Sequence, residues 1–207
     1  MSLGTEPATA AVTIIDSGGA NLASLQIAFA RLGAEAVISS DAATIERASR
    51  VILPGVGSAR DAMTRLRTAG LDSVLRRLRQ PILGVCLGMQ LLFESSEEGS
   101  ATCLGILPGA VRRMPATPEL PVPHMGWNTL DTVQPDPLLT DIPPGAYFYF
   151  VHSYAVAPDV AVTLATSTYR LPLAAVVGRD NVRGVQFHPE RSGSAGARLL
   201  SNFLRMS

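Results

Sequence analysis

The chain has 207 residues, and its 17 basic and 17 acidic side chains give a formal net charge of zero. All 17 basic residues are arginines, because the sequence contains no lysine. A neutral chain is a poor general nucleic-acid binder, since that affinity comes from clustered cations. With 47% hydrophobic residues, it needs no disulfide or metal to fold, because a chain of this length buries roughly 70% of its unfolded surface.

The apolar runs are all far shorter than the roughly 20 residues that a membrane-spanning helix needs. Residues 1–10 lack a basic stretch and are interpreted as a flexible tail rather than a signal peptide. Residues 11–207 are interpreted as a single domain. Two cysteines, Cys86 and Cys103, are too few for a disulfide scaffold. We therefore expect a cytoplasmic protein that binds neither nucleic acid nor membranes.

The first half of the chain alternates short apolar runs with helical periodicity, which predicts parallel strands joined by helices. The predicted strands are residues 12–15, 36–38, 51–53 and 81–85. The predicted helices are residues 22–32, a short helix capped by Asp41 and ending near Ser49, residues 58–79 with a break near Gly70, and residues 87–93. Continuous apolar strands are typical of a sheet that is buried on both faces. The fold class is therefore α/β, with a mostly parallel central sheet and flanking helices.

The second half of the chain has a different composition. Nine prolines between residues 107 and 145 favour turns and edge strands over helices. Further strands are predicted at residues 147–151, 162–165, 174–177 and 182–187, and a last helix at residues 195–204. These strands add an antiparallel part to the sheet.

Residues 84–88 place Cys86 between a predicted strand and a predicted helix, with Gly84 and Gly88 on either side. This is the nucleophile-elbow pattern with sulfur in place of a serine oxygen. The turn is expected to expose the sulfur beside the positive end of the helix, which favours a thiolate. The Leu87 N–H is then placed to meet a developing oxyanion. The alternative interpretation is that Cys86 is a buried apolar residue, as free cysteines often are.

His188 and Glu190 lie two residues apart at the end of a predicted strand, and in an extended segment they project to the same side. Such a pair can act as a base and its orienting carboxylate, which with Cys86 completes a nucleophilic triad. Alone, His188 is better interpreted as a hydrogen-bonded structural histidine. Residues 54–58 form a glycine-containing loop that either offers a second oxyanion N–H or is an ordinary turn after a strand.

Three segments together, residues 54–58, 84–90 and 186–190, resemble the class I (triad) glutamine amidotransferases. Two further segments, residues 123–128 and 149–154, are similar to the glutaminase subunits of imidazole glycerol phosphate synthase in histidine biosynthesis. The resemblance implies a class I amidotransferase fold and hydrolysis of glutamine to glutamate and ammonia. It assigns the triad to Cys86, His188 and Glu190, and the oxyanion hole to the amides of Val56 and Leu87.

The same resemblance implies a heterodimer with a cyclase subunit of (β/α)₈-barrel fold, which uses the ammonia to make imidazole glycerol phosphate and aminoimidazole carboxamide ribotide. It assigns glutamine binding to Gly55, Gly57, Gln90, His152, Ser153 and Tyr154. It assigns partner contacts to Asn21, His124, Met125 and Trp127. The alternatives left open are an exposed helix position for Gln90, a packed strand position for Tyr154 and a core position for Trp127. We also expect residues 55–57 to act as a switch, with weak activity in the lone chain.

Neither a cofactor nor a metal is expected, because the three histidines lie far apart in sequence and a lysine-containing phosphate loop is impossible.

The loop of residues 16–21 departs from the family's pattern at Ser17 and Ala20, where an aromatic residue and a glycine are usual. Arg191 takes the family's cationic position after Glu190, and any salt bridge to the partner must come from arginine. Cys103 lies outside every motif and is expected to be structural.

Two rival functions stay open: an amidotransferase of purine, anthranilate or pyridoxal phosphate synthesis, and an inactive regulatory relative.

Overall fold

The structure is a computed structural model that describes residues 12–16, 18, 22–116 and 121–207. In the first half of the chain, strands and helices alternate as expected from the sequence. In chain order the elements are β1 (Val12–Ile15), α1 (Leu22–Arg31), β2 (Ala36–Ser39), α2 (Ala42–Arg47), β3 (Val51–Leu53), α3 (Ala59–Thr68), α4 (Leu71–Arg77), β4 (Ile82–Val85) and α5 (Leu87–Leu91). The predicted break at Gly70 is confirmed, because this residue has a φ of +69° between α3 and α4. Asp41 caps α2 by accepting a 2.8 Å hydrogen bond from the Thr44 N–H, and the helix ends at Arg47, before the expected Ser49.

The second half consists mainly of strands and closes with a helix. Its elements are β5 (Ser95–Ser96), β6 (Ala101–Thr102), β7 (Ala110–Arg113), β8 (His124–Thr129), β9 (Asp131–Thr132), β10 (Tyr147–His152), β11 (Tyr154–Ala155), β12 (Thr163–Tyr169), β13 (Leu171–Arg179), β14 (Val182–Val185) and α6 (Gly193–Phe203). The proline-rich stretch contains short strands and turns, as predicted. The strand predicted to reach residue 187 ends at Val185, so Gln186 and Phe187 lie just beyond it.

The central sheet has the strand order β2-β1-β3-β4-β14-β13-β12-β9. Pairing is parallel from β2 to β14 and antiparallel from β14 to β9, which matches the predicted fold class. The register aligns Val85 of β4 with Val185 of β14. Because neighbouring parallel strands end at the same edge of a sheet, the residues that follow these two strands meet there.

Helices cover both faces of this sheet. Side chains alternate along each strand, so Ile14 and Leu83 pack against α1 and α6 while Ile15 and Ile82 pack against α2 to α5. None of the helices in the described ranges is long and apolar enough to cross a membrane.

Two smaller sheets pack beside the central sheet. One is the antiparallel pair of β8 and β10, here called the ribbon, which aligns His124 with His152 and Trp127 with Tyr149. The other joins β11, β7, β5 and β6. Along the ribbon, buried and exposed side chains alternate, which gives it an inner and an outer face.

Candidate active site

Cys86 occupies a sharp turn between β4 and α5, with φ +54° and ψ −111°. A non-glycine residue in this region costs about 1–3 kcal/mol, which the surrounding packing must offset. The flanking glycines are required by close backbone contacts. A Cβ on Gly88 would lie 1.8 Å from the Leu53 carbonyl oxygen, and a Cβ on Gly84 would lie 2.8 Å from the Gly88 carbonyl oxygen. The predicted elbow is therefore present, with the backbone packing that its sequence pattern requires.

The sulfur of Cys86 is less accessible than the elbow pattern predicts. The residue is only 9% exposed, because the ribbon and the end of β14 cover it. Its Sγ lies 3.8 Å from the Val151 carbonyl oxygen, and the Gln186 Nε2 donates toward it at 3.9 Å. The expectation of an exposed sulfur is thus wrong, and the site is a narrow, mostly buried one.

His188 and Glu190 contact each other directly. The His188 Nδ1 lies 2.8 Å from the Glu190 Oε1, and their side chains are 13% and 1% exposed. The segment is not extended as predicted, since residues Pro189–Arg191 form a 3-10 turn. Proline favours this first helical position because its φ is already fixed there. The turn still aims the carboxylate at the imidazole.

His188 is held as a charged imidazolium. Burial lowers its pKa, but hydrogen bonds and charge interactions with Cys86 and Glu190 outweigh that effect and raise the pKa to about 10. Since Nδ1 faces Glu190, Nε2 is the ring nitrogen that is left to face the Cys86 sulfur. A thiol, an imidazole and a carboxylate are thereby placed in the order that nucleophilic catalysis requires.

The loop of residues 54–58 packs against the start of α5. A Cβ on Gly55 would lie 2.7 Å from the Gly88 N, so only glycine permits this approach. Val56 is half-buried and its carbonyl accepts a 3.5 Å hydrogen bond from Arg65, while Gly57 is exposed with a φ of +81°. A small pocket joins this loop to His188 and Glu190. The structure thus brings Val56 and Leu87, the two expected oxyanion residues, to the same edge as the triad.

Gln90 is 4% exposed, so its alternative interpretation as an exposed helix residue is wrong. Its Nε2 donates to the Tyr154 carbonyl and to the Gln186 Oε1, each at 2.9 Å. Tyr154 is a half-buried residue of β11 that packs against the core, as its alternative interpretation expects. The carbonyl of Ser153 accepts a 2.9 Å hydrogen bond from the Met114 N–H.

His124 and His152 form a buried hydrogen-bonded pair inside the ribbon. The His152 Nδ1 must donate to the Tyr154 carbonyl at 2.8 Å, so its Nε2 accepts from the His124 Nδ1 at 3.0 Å. Burial lowers the pKa of each histidine to about 4, so both are neutral. His124 also stacks on Phe150 and Tyr169, with ring centroids 4.8 and 4.1 Å away.

The residues expected to contact a partner differ in their exposure. His124 is 3% exposed, so its expected role as a partner contact is corrected to an interior one. Met125 and Trp127, on the outer face of the ribbon, are 61% and 55% exposed, and the core interpretation of Trp127 is wrong. Asn21, the departures at Ser17 and Ala20, and the predicted tail of residues 1–10 lie outside the described residues.

Comparison with known proteins identifies this architecture. The family model "Glutamine amidotransferase class-I" matches residues 13–206. The chain belongs to the class-I glutamine amidotransferases. The chain is 53% identical over 195 residues to "Imidazole glycerol phosphate synthase subunit HisH" of Xylella fastidiosa strain Temecula1, covering 94% of this chain and 97% of that one. Identity to the HisH protein of Xanthomonas euvesicatoria is 54% over 196 residues, covering 95% and 98%. The resemblance drawn from the motifs is confirmed.

Solved structures support the amidotransferase fold at lower identity. One crystal structure of a glutamine amidotransferase superposes with a TM-score of 0.73 at 21% identity, covering 94% of this chain and 97% of the other. A glutamine amidotransferase from Thermotoga maritima superposes with a TM-score of 0.61 at 18% identity, covering 93% and 80%. At these identities the likeness concerns the fold alone.

Two features of this amidotransferase were missed from the sequence. Gln186 was noticed only as part of a motif, although its side chain is fully buried and contacts both Cys86 and Gln90. The contact between His124 and His152 was also missed, because strand pairing brings them together across 28 residues. The signal for Gln186 was a polar residue between the apolar Val185 and Phe187 near the end of a predicted strand. Among the residues that the structure describes, no group of three or more His, Cys, Asp or Glu side chains is placed to hold a metal ion.

Proposed function

We propose that Cys86, His188 and Glu190 hydrolyse glutamine to glutamate and ammonia, and that the ammonia passes to a cyclase subunit with a (β/α)₈ barrel. With it the cyclase makes imidazole glycerol phosphate and aminoimidazole carboxamide ribotide in histidine biosynthesis. The observation that carries the proposal is the 2.8 Å contact between His188 and Glu190 beside a cysteine at an elbow. The HisH relatives favour this pathway over purine, anthranilate or pyridoxal phosphate synthesis.

The Cys86 thiolate attacks the side-chain amide carbon of glutamine, and a carbon–sulfur bond forms. The oxyanion that develops accepts hydrogen bonds from the Leu87 and Val56 N–H groups; losing one such donor costs roughly 10²–10³ in rate. The His188 imidazolium gives its proton to the departing nitrogen, so ammonia leaves and a glutamyl thioester remains. Neutral His188 then takes a proton from water, which attacks the thioester and releases glutamate and the thiolate.

Glu190 supports both proton transfers. Its carboxylate accepts from the His188 Nδ1–H, which fixes the ring so that Nε2 faces the sulfur and the substrate. The negative charge also stabilises the imidazolium that exists before ammonia departs. Because Glu190 is almost fully buried, water does not screen this interaction appreciably.

Glutamine binding is assigned to Gly55, Gly57, Gln90, His152, Ser153 and Tyr154. Gln90 contributes through its Oε1, since its amide nitrogen donates to Tyr154 and Gln186. His152 turns its ring inward and holds the Tyr154 carbonyl, so it acts as a support. The loop of residues 55–57 is the element that switches between idle and active states, and an oxyanion loop identical in both states contradicts this part of the proposal.

The partner surface is assigned to the outer face of the ribbon together with Asn21. Trp127 and Tyr149 meet edge to face with ring centroids 5.8 Å apart, and the Arg191 guanidinium lies 5.5 Å above the Tyr149 ring. Exposed aromatic residues and arginine are enriched among the residues that dominate binding energy. We place the reaction in the cytoplasm and treat residues 11–207 as one domain, which the family match over residues 13–206 supports.

The first experiment is labelling with an electrophilic glutamine analogue, followed by mass spectrometry. We expect one adduct, on Cys86, that is lost in Cys86→Ala and retained in Cys103→Ala. Cys103 is a matched control because it is 1% exposed and burial raises the pKa of its thiol to about 11. If the intact protein forms no adduct, the inactive-relative interpretation is right and the proposal is wrong.

The second experiment identifies the barrel protein that co-purifies with the chain. We expect a cyclase, together with weak glutaminase activity of the lone chain that rises when the cyclase and its ligand are added. A partner from another pathway overturns the histidine assignment, and full activity in isolation overturns the coupling.

A further inference from the structure

Gln186 stands between the nucleophile and a residue of the glutamine-binding set. It follows β14, where its N–H donates a 2.9 Å hydrogen bond to the Ala175 carbonyl. Its side chain is 0% exposed. One end of its amide accepts from the Gln90 Nε2 at 2.9 Å and the other end donates toward the Cys86 Sγ at 3.9 Å.

The direction of these hydrogen bonds is fixed by a backbone carbonyl. The Tyr154 oxygen can only accept, so the Gln90 atom that faces it must be the nitrogen. That nitrogen supplies its second hydrogen to Gln186, which must therefore present Oε1 to it. The Nε2 of Gln186 is left facing Cys86. His152 reinforces the arrangement, because it donates to the same Tyr154 oxygen.

A negatively charged Cys86 sulfur is stabilised by a hydrogen-bond donor at the position of the Gln186 amide. The Val151 carbonyl oxygen lies 3.8 Å from Sγ, and a carbonyl dipole aimed at sulfur disfavours negative charge there. A thiolate that is 9% exposed obtains little help from water. The Gln186 amide and the His188 imidazolium are the groups that offset the carbonyl, and hydrogen bonds to a charged form favour that form.

We propose that Gln186 is a positioning residue of the glutaminase reaction, whose single buried amide orients the Cys86 sulfur and the Gln90 side chain together. The inference rests on the proposed function and deepens it. Gln186 forms no bond to the substrate. It acts through Cys86, toward whose attacking and departing sulfur it donates, and through Gln90, whose amide it aims by accepting from the Nε2.

The test uses the full chain in complex with the cyclase, and compares Gln186→Met with Gln186→Glu. Methionine keeps the size but has neither strong donor nor strong acceptor, so kcat should fall about 10- to 100-fold, the worth of a hydrogen bond to a charged group. KM should rise as well, because Gln90 loses its acceptor. Iodoacetamide should alkylate Cys86 more slowly in this variant than in the unmodified chain.

The pH dependence of Gln186→Glu distinguishes a positioning role from a merely structural one. A protonated carboxyl group can donate to the sulfur and accept from Gln90, whereas a carboxylate can only accept. The activity of this variant relative to the unmodified chain should therefore recover as the pH is lowered, while the relative activity of Gln186→Met stays flat. This variant also keeps the inference testable if Gln186→Met fails to fold.

The matched control is Gln134→Met. Gln134 is half-buried and donates its side-chain amide to the carbonyls of Val160 and Thr163, so the same substitution removes two hydrogen bonds away from the site and should leave kcat unchanged. The inference is overturned if Gln186→Met keeps kcat and alkylation rate within about twofold, or if both Gln186 variants lose activity equally at every pH. Failure of the proposed function is a separate result, because then the unmodified complex hydrolyses no glutamine.

Discussion

Replacing Gly88 with alanine tests whether backbone packing under α5 sets the geometry of the nucleophile. The new Cβ would begin 1.8 Å from the Leu53 carbonyl oxygen, whereas a carbon and an oxygen approach to about 3.3 Å. The start of α5 and the end of β3 must therefore separate by about 1.5 Å. Both atoms belong to backbone, so no side-chain rotation can relieve the contact.

This displacement moves the Leu87 N–H and the Cys86 sulfur together. Since a 1 Å misplacement can cost about 100-fold in rate, we expect kcat to fall at least that far. Overpacking of this kind destabilises by about 1–3 kcal/mol, which lowers the melting temperature by roughly 2–4 °C per kcal/mol for a chain of this size. Steady-state glutaminase assays of the complex and thermal unfolding measure the two effects.

Gly33→Ala separates the effect on geometry from a general loss of stability. A Cβ on Gly33 meets nothing within 4 Å, but its φ is +74°, so alanine there costs about 1 kcal/mol without touching the site. It should lower the melting temperature and leave kcat unchanged. If Gly88→Ala retains as much activity as Gly33→Ala, the reasoning about α5 is refuted.

Four other predictions concern pH dependence at two histidines, the partner surface and a mostly buried ion pair. The pKa of His188 is raised to about 10, so above about pH 6.5 the folded state keeps a proton that the unfolded state loses. The free energy of unfolding should therefore fall between about pH 6.5 and pH 10. Urea titrations should show a smaller fall in His188→Gln. The pKa of His124 is lowered to about 4, so the unfolded state takes up a proton first and stability should also fall from about pH 6.5 to pH 4; His124→Phe should reduce that fall. Trp127→Ala should weaken binding of the cyclase by about 2 kcal/mol, roughly 30-fold, in calorimetry, and an unchanged affinity would remove Trp127 from the interface. Asp136→Ala should destabilise the fold by about 1–3 kcal/mol in urea, because the mostly buried Arg183 guanidinium loses its 2.9 Å carboxylate partner and keeps only its bonds to the Asp180 and Val182 carbonyls; a loss below about 0.5 kcal/mol would contradict this.

The elbow could be predicted from sequence because every constraint on it is local. A strand, a sharp turn and a short helix within ten residues leave room only for glycine at positions 84 and 88, and the cysteine between them is then recognisable. The His188–Glu190 contact could be predicted for a similar reason, although through a turn instead of an extended segment.

The polar network behind the nucleophile could not be predicted in this way. An exposed position for Gln90 stayed open as the alternative to glutamine binding, because helical periodicity usually leaves one polar face, but all five residues of α5 are buried. His124 was assigned to the partner interface because its segment resembles the family's interface segment; strand alternation sends it inward instead. Such contacts depend on how separate sheets meet, which local spacing does not record.

The insertion of β14 between β4 and β13 also determines when the chain becomes an enzyme. Strands β1 to β4 pair with one another, whereas the partner of β4 on its other edge arrives 100 residues later. Contacts of such long sequence separation form slowly. In the proposed reaction the thiol can therefore be activated only after β14 has paired with β4. During synthesis the nascent chain carries Cys86 long before His188, the proposed base, and glutamine hydrolysis has to wait until both are in place.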